Sequence, residues 1–284
     1  IMKIQGPMFH AQLAETYILN VINYQTLVAS KASRIKNVAQ NKTLLEFGTR
    51  RSHSPLAGVY AARASYIAGF NGTSNIIADI ELGINSSGTM AHSFVQRFDD
   101  EMESFDVYNN IYGDNSILLI DTYDTEQAAK LVTKFKNSIK AVRIDSGDLV
   151  DHSTKVRKIL DENGCEKVLI VASSDLNEYK IRELLEKNAP IDAFGVGTEL
   201  ATSRDDPAIP GVYKLIEYNH KPKIKISEDK ITYPGKKQVY RFYNKQGEFN
   251  KDLLMLDDEP APQNSEALLI PVMKEGILLE ELPD

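Results

Sequence analysis

A series of apolar runs in this sequence ends, each time, in residues that can bind charge. Arg50 and Arg51 follow Leu44-Leu45-Glu46-Phe47-Gly48, and Asp121 and Asp124 follow Leu118-Leu119-Ile120. Arg143 and Asp145 flank Ile144, Asp175 follows the run from Lys167 to Ala172, and Gly197-Thr198 closes the run from Ile191 to Val196. Guanidinium forks match phosphate oxygens. Carboxylates accept from sugar hydroxyls or hold a hydrated Mg²⁺. The alternation of the two suits a substrate that carries both phosphate and hydroxyl groups. In Gly195-Val196-Gly197-Thr198, a helix start would turn free backbone N–H groups toward a phosphate.

Singly, each of these residues has a plainer reading. Asp124 with Gln127, and Asp175 with Glu178, have the spacing of helix capping boxes. Asp145-Ser146-Gly147-Asp148 reads as a turn plus a cap, and two glycines before a helix often mark only a tight turn. His92, in Gly88-Thr89-Met90-Ala91-His92-Ser93, reads by itself as a structural histidine after a Gly-Thr turn. His10, His53, His152 and His220 read as surface or packing residues. Lysines are sparse at these positions, which disfavours Schiff-base chemistry. The case for a site rests on the array.

The elements that must position the array follow from periodicity. Residues 9 to 40 contain no Gly or Pro, and Leu13, Tyr17, Ile18, Val21, Ile22, Leu27 and Val28 recur mostly three or four apart, predicting one long helix or two stacked ones. Ser54-Pro55 predicts a cap and first-turn proline for a helix that stops at Gly69. A second helix is expected from Thr73 or Ser74 to Gly83. Strands are expected at Leu44–Gly48, Ser116–Ile120, Ala141–Ile144, Lys167–Ala172 and Ile191–Val196. Helices are expected from about Thr125 to Asn137, up to Gly164 and up to Asn188. Continuously apolar strands separated by amphipathic helices predict parallel pairing. Their spacing of roughly 25 residues fits a β/α barrel better than a sandwich, and a doubly wound sheet stays open on pattern alone. Beyond Pro207 the alternation in Tyr213–Tyr218, Lys223–Ile226 and Val239–Tyr243 predicts antiparallel hairpins. The expected organisation is therefore a helical segment at 1–40 belonging to a small domain and interface, a β/α barrel with the site at 41–210, and a β-rich part of the small domain at 211–284.

Hydrophobic residues make up 42% of the chain and charged ones 26%, as in ordinary globular proteins. The net charge of −7 gives generic nucleic-acid binding little support, although local arginine clusters can still bind anions. No run approaches the roughly 20 apolar residues of a membrane span, and no leader-like pattern is read at the start. The single cysteine, Cys165, excludes an internal disulfide and a thiolate zinc cluster within one chain, and fits a reducing, cytoplasmic setting. The opening Ile1-Met2-Lys3-Ile4 lies inside an apolar segment with no lead-in, which suggests a fragment or a split gene.

The same segments resemble a known family. Glu46-Phe47-Gly48-Thr49-Arg50-Arg51, Gly72-Thr73-Ser74-Asn75, Gly88-Thr89-Met90-Ala91-His92-Ser93, Ile120-Asp121-Thr122-Tyr123-Asp124, Val142-Arg143-Ile144-Asp145-Ser146-Gly147-Asp148, Ala172-Ser173-Ser174-Asp175 and Phe194-Gly195-Val196-Gly197-Thr198 occur in the order seen in nicotinate phosphoribosyltransferases. Gly235-Lys236-Lys237-Gln238-Val239-Tyr240-Arg241 is similar to that family's C-terminal region. The resemblance covers nearly the whole chain, and its specificity lies in the ordered set.

The resemblance implies an irregular β/α barrel joined to a smaller, mostly antiparallel α/β domain, and a homodimer with active sites at the subunit boundary. It implies condensation of nicotinate with phosphoribosyl diphosphate, with ATP as co-substrate through a phosphohistidine and Mg²⁺ accompanying the diphosphate. By motif, His92 matches the phosphorylated histidine and Asp124 the carboxylate that orients it. Phe47 matches the aromatic that stacks on the pyridine ring, Arg50 and Arg143 the pocket arginines, and Thr89 a nicotinate contact. Asp145 and Asp175 match ribose-binding carboxylates, Gly197 and Thr198 the 5′-phosphate cradle, with Arg204 assisting. No resident metal site is implied. Ser74 stands where nicotinamide-using relatives carry an aspartate, and a hydroxyl can donate to a carboxylate that an aspartate would repel. Family members carry a further N-terminal segment that sends an aromatic residue into the neighbouring site. Two other readings are a catalytically silent homologue that binds ligands or a partner, and a metal-dependent barrel lyase or hydrolase using His92, Asp121 and Asp145.

Overall fold

The computed structural model describes residues 2–227 and 232–279. The chain divides into two compact units, one of residues 21–210 and one of residues 1–20 with 211–284. A single helix, α1 (Met8–Ala39), contributes to both.

In the unit 21–210, α1 buries Leu27, Val28, Lys31, Ala32, Ile35 and Ala39, a stripe of three-and-four spacing that faces the core. β1 (Thr43–Glu46) follows, then α2 (Pro55–Ile67), where the Ser54 side chain accepts from Ala57 N and Pro55 fills the first turn. β2 (Gly72–Thr73) precedes α3 (Ile76–Leu82), which Asn75 caps and Gly83 ends at φ 67°. The helix start expected at Thr73 or Ser74 thus falls later. Thr73 pairs in parallel with Glu46, and Gly72 lets the Asn85 carbonyl come within 2.6 Å of where a Cβ would stand.

Next come α4 (His92–Gln96) and α5 (Glu101–Tyr112). Sequence periodicity gave no sign of α5, because only Ser104 and Phe105 of its twelve residues are buried. The remainder alternates regularly: β3 (Ile117–Leu119), α6 (Thr125–Val132), β4 (Ala141–Ile144), α7 (Leu149–Glu162), β5 (Leu169–Ala172), α8 (Glu178–Glu186), β6 (Ala193–Val196) and α9 (Thr198–Ala201). The six strands form one parallel sheet in the order β2-β1-β6-β5-β4-β3, a curled half-barrel of the expected β/α kind. Phe194, Leu118, Ile120, Ile144 and Ile170 are fully buried. That burial explains why the strands read as apolar runs without alternation.

One charged cluster is buried in this unit. Lys31 is 1% exposed, and its Nζ lies 2.8 Å from Glu178 and 3.1 Å from Asp205. Arg34 completes the cluster, with Nε 2.9 Å from Glu178 and Nη2 2.5 Å from Asp205. Burial pushes the Glu178 carboxyl up, but Lys31, its own backbone N–H and Arg34 more than reverse this and hold it below its usual value.

The other unit is mostly antiparallel. β7 (Glu217–Tyr218) and β8 (Lys221–Pro222) form a two-residue hairpin. β9 (Lys237–Tyr243), β10 (Phe249–Leu256) and β11 (Ser265–Ala267) form a sheet in the order β10-β9-β11, and β12 (Met273–Lys274) pairs with β13 (Ile277–Leu278). The strand expected at Lys223–Ile226 is absent: the ladder ends at Pro222, which has no N–H to carry it on. Arg241 forks onto Asp252 across β9 and β10 with two contacts of 2.9 Å. Of the opening apolar segment, Ile1 lies outside the described residues.

Candidate active site

A cleft of about 710 Å³ opens at the C-terminal ends of the parallel strands, the place where β/α barrels carry their chemistry. Its walls include Phe47, Arg50, Ser74, Thr89, His92, Arg143, Asp145, Asp175, Gly197 and Thr198. Asp124 is the site candidate that does not line it. Sequence separations along this wall are long, yet the sheet order brings the end of β1 beside the end of β6.

The wall begins with an aromatic slot. The Phe47 ring lies against Gly195, where a Cβ would fall 2.4 Å from Phe47 Cδ2, so only glycine leaves room for the ring. The Arg143 guanidinium stands 5.6 Å from the same ring's centroid, a cation–π distance. Beneath the slot, Glu46 is fully buried and accepts from Gly48 N and from Thr73 Oγ1, the latter at 2.6 Å. Burial raises the Glu46 carboxyl above its usual value against the pull of these two donors. The Thr73 hydroxyl in turn accepts from Asn75 N at 3.0 Å, and Ser74 N donates to the Glu46 carbonyl at 2.8 Å. One buried carboxylate therefore ties the Phe47 turn to the Ser74 turn.

Arg143 is the hub of the opposite wall. Its Nη1 donates to Thr89 Oγ1 at 2.7 Å, its Nε to Ser173 Oγ at 2.8 Å, and its Nη2 pairs with Asp145 at 2.9 Å. Ser173 also donates to Asp145, at 2.6 Å. Asp121 sits behind Asp145 and accepts from Asp145 N at 2.9 Å and Ser146 Oγ at 2.5 Å, so it shapes the end of β4 without lining the cleft.

His92 opens α4 with its ring partly exposed to the cleft. Its Nδ1 lies 3.1 Å from Thr122 Oγ1, and its Nε2 lies 3.8 Å from Asp145. The partner expected from the resemblance, Asp124, is engaged elsewhere: it caps α6 and accepts from Gln127 N at 2.9 Å. The plainer reading of Asp124 as a cap is the one the backbone realises. For Asp175 the outcome is the reverse. Asn177 caps α8, while Asp175, at φ 43°, faces the cleft 3.5 Å from Arg51. At the far end, Gly197-Thr198 opens α9, and Arg204 turns away onto Glu199 at 3.0 Å.

Residues 43–251 match the family model described as the nicotinate phosphoribosyltransferase (NAPRTase) family, and residues 236–276 match its C-terminal domain. The chain belongs to the nicotinate phosphoribosyltransferase family. It is 43% identical over 282 residues to a nicotinate phosphoribosyltransferase of Mycobacterium tuberculosis, covering 96% of this chain and 60% of the relative. It is 44% identical over 273 residues to the Bacillus subtilis nicotinate phosphoribosyltransferase, covering 91% of this chain and 56% of that protein. This chain thus spans about 60% of the length of curated relatives it matches. Among solved structures, human nicotinic acid phosphoribosyltransferase superposes with a TM-score of 0.83 at 26% identity, over 98% of this chain and 69% of that one. A nicotinate-nucleotide pyrophosphorylase from Pyrococcus furiosus gives 0.77 at 28% identity, over 94% and 69%.

Set in that family, four residues in or behind the cleft lay beyond what the sequence alone assigned. Arg51 stood among the strand-end charges but received no role. Ser173, Thr122 and Glu46 fell inside quoted motifs, and their contacts join different strands, which no linear pattern reveals. A strand-end hydroxyl next to an Arg or His on a neighbouring strand was the available signal. Among the described residues, no group of three His, Cys, Asp or Glu side chains converges as a metal cage. The lyase reading built on His92, Asp121 and Asp145 gives way to the family match. No helix among the described residues is long and apolar enough to cross a membrane.

Proposed function

We propose that the protein is a nicotinate phosphoribosyltransferase. The observation that carries this is the convergence, in one cleft of a family member, of the Phe47 slot, the Arg143 fork and the Gly197–Thr198 turn. The pyridine nitrogen of nicotinate attacks C1′ of phosphoribosyl diphosphate. The C1′–N bond forms as the C1′–O bond breaks, and diphosphate leaves with the electron pair. The transition state is a sugar with oxocarbenium character, so catalysis consists mainly of positioning and placement of charge. Phe47 and Arg143 hold the pyridine ring, with Thr89 and Ser74 toward its carboxylate. Asp145 and Asp175 take the ribose hydroxyls, Gly197 and Thr198 the 5′-phosphate, and Arg50 the departing diphosphate.

Mg²⁺ arrives with the substrate, on the diphosphate. ATP is a co-substrate: its γ-phosphoryl passes to a ring nitrogen of His92, ADP leaves, and water later returns the phosphate. With Nδ1 held toward Thr122, Nε2 is the nitrogen presented to the cleft, and Asp145 lies on that side. In this reading Thr122 takes over the orienting role that the motif assigned to Asp124. The protein acts in the cytoplasm as a homodimer, with the active sites at the subunit boundary. The exposed isoleucines of α3, beside Ser74, support that boundary.

The test is direct: purified chain with nicotinate, phosphoribosyl diphosphate and Mg²⁺, with and without ATP. Mononucleotide formation that ATP stimulates is expected, together with an acid-labile phosphate from γ-labelled ATP that His92→Ala abolishes. Label retained by His92→Ala would remove His92 from the mechanism. A chain that binds nicotinate yet makes no mononucleotide would be the catalytically silent homologue.

A further inference from the structure

Arg51 reaches across the cleft and has no part in the scheme above. From the turn after β1, its Nη1 donates to Thr198 Oγ1 at 2.8 Å and lies 3.5 Å from Asp175 Oδ1. Those two residues follow different strands, β6 and β5, and Arg51 links them. Arg50 also lines the cleft but is given above to the departing diphosphate, and the other two arginines nearby are committed. Arg204 is paired with Glu199, and Arg143 is divided among Thr89, Ser173 and Asp145. Among the described residues, no lysine lines the cleft. α9 has four residues, too few aligned peptides to supply the field that a longer helix gives an anion. A phosphate at Thr198 therefore depends on a side-chain cation, and Arg51 is already bonded to that hydroxyl.

We propose that Arg51 is a latch for the phosphoribosyl group, pairing with the Asp175 carboxylate until the 5′-phosphate takes its place. The guanidinium keeps its bond to Thr198 and exchanges Asp175 for the phosphate. Asp175 is thereby released to accept from the ribose hydroxyls. Phosphate and sugar recognition become coupled through one side chain, so that a sugar without its phosphate must compete with Arg51 for Asp175. The inference rests on the cleft being a phosphoribosyl site, but it does not require that the chain turn over.

The experiment measures binding by calorimetry on the whole chain, with ribose 5-phosphate and inorganic phosphate as probes. Four proteins are compared: wild type, Arg51→Gln, Asp175→Asn and the double variant. Arg51 is half exposed, so its removal leaves the core intact, and asparagine tolerates the left-handed backbone at position 175. Arg51→Gln is expected to weaken ribose 5-phosphate binding by about tenfold or more, the loss of one charge-assisted bond to phosphate. Asp175→Asn is expected to tighten inorganic phosphate, and that gain should vanish when Arg51 is Gln. An equal gain in both backgrounds would mean that Asp175 merely repels anions, and the latch would be discarded. So would an Arg51→Gln affinity within about twofold of wild type. Failure of the wild-type chain to bind ribose 5-phosphate would overturn the phosphoribosyl reading itself, a result distinct from failure of the latch.

Discussion

On the proposed function, position 74 is where selectivity between nicotinate and nicotinamide would be set. Ser74 lies at the rim, its backbone fixed by Glu46, with a hydroxyl able to donate to a carboxylate. Ser74→Asp replaces that donor with a charge that repels nicotinate and accepts from a carboxamide. The ratio of kcat/KM for nicotinate over nicotinamide should fall by about tenfold or more, the cost of one charged hydrogen bond. An unchanged ratio would show that selectivity is set elsewhere. The charged members of the site were legible in the sequence because an Arg or Asp after an apolar run is a visible break in pattern. Ser173 and Thr122 were not, since a hydroxyl is an ordinary residue in a turn until a neighbouring strand brings Arg143 or His92 against it. Asp124 shows the converse: it fitted both the motif and a cap spaced to Gln127, and the cap is the contact present.

Helices α1, α5 and α8 carry charges that decide stability. Lys31→Met leaves Glu178 buried without its ammonium partner, and breaking such a pair costs about 3–5 kcal/mol. A urea midpoint unchanged from wild type would show that Arg34 alone suffices. Because the folded Glu178 carboxyl lies below its unfolded value, its contribution is complete above about pH 4.3 and is lost as pH falls through the folded value. Glu101, in the first turn of α5, behaves oppositely. Burial, then Asp100 and Asp124, push it up to about 7, and its Oε1 has no partner. The folded state keeps a proton that the unfolded chain releases near pH 4.3, so stability drops as pH rises from about 4.3 to 7. Glu101→Gln should therefore match wild type near pH 4 and gain on it in Tm as pH rises from about 4.3 to 7, with no further gain above. Parallel Tm curves would rule this out. Of the elements themselves, β4 was legible to the residue because three of its four residues are buried and apolar. Lys223–Ile226 misled because alternation reports a surface that could pair, and Pro222 ends the ladder before it does.

At the scale of the molecule, a chain of net charge −7 presents a cleft lined by Arg50, Arg51 and Arg143. The exposed face of α3 is apolar by contrast, with Ile76 at 66%, Ile77 at 50% and Ile80 at 78% exposure. If a second copy covers this face, Ile80→Lys should convert a dimer to a monomer in sedimentation equilibrium. A wild-type chain already monomeric, or a variant still dimeric, would exclude this face. The barrel class was readable from the spacing of apolar runs. The strand order was not, since nothing in a linear pattern says that Thr43 will lie beside Ala193. That adjacency has a consequence for how the protein is made. Phe47 and Gly195, the two halves of the aromatic slot, are synthesised far apart in time, and contacts so distant in sequence are slow to close. A nascent chain that has emerged only as far as α8 has Phe47 but not the glycine it packs against. Ligands that occupy the slot can bind only the finished sheet, so they would act as folding aids, drawing the last strand home by mass action.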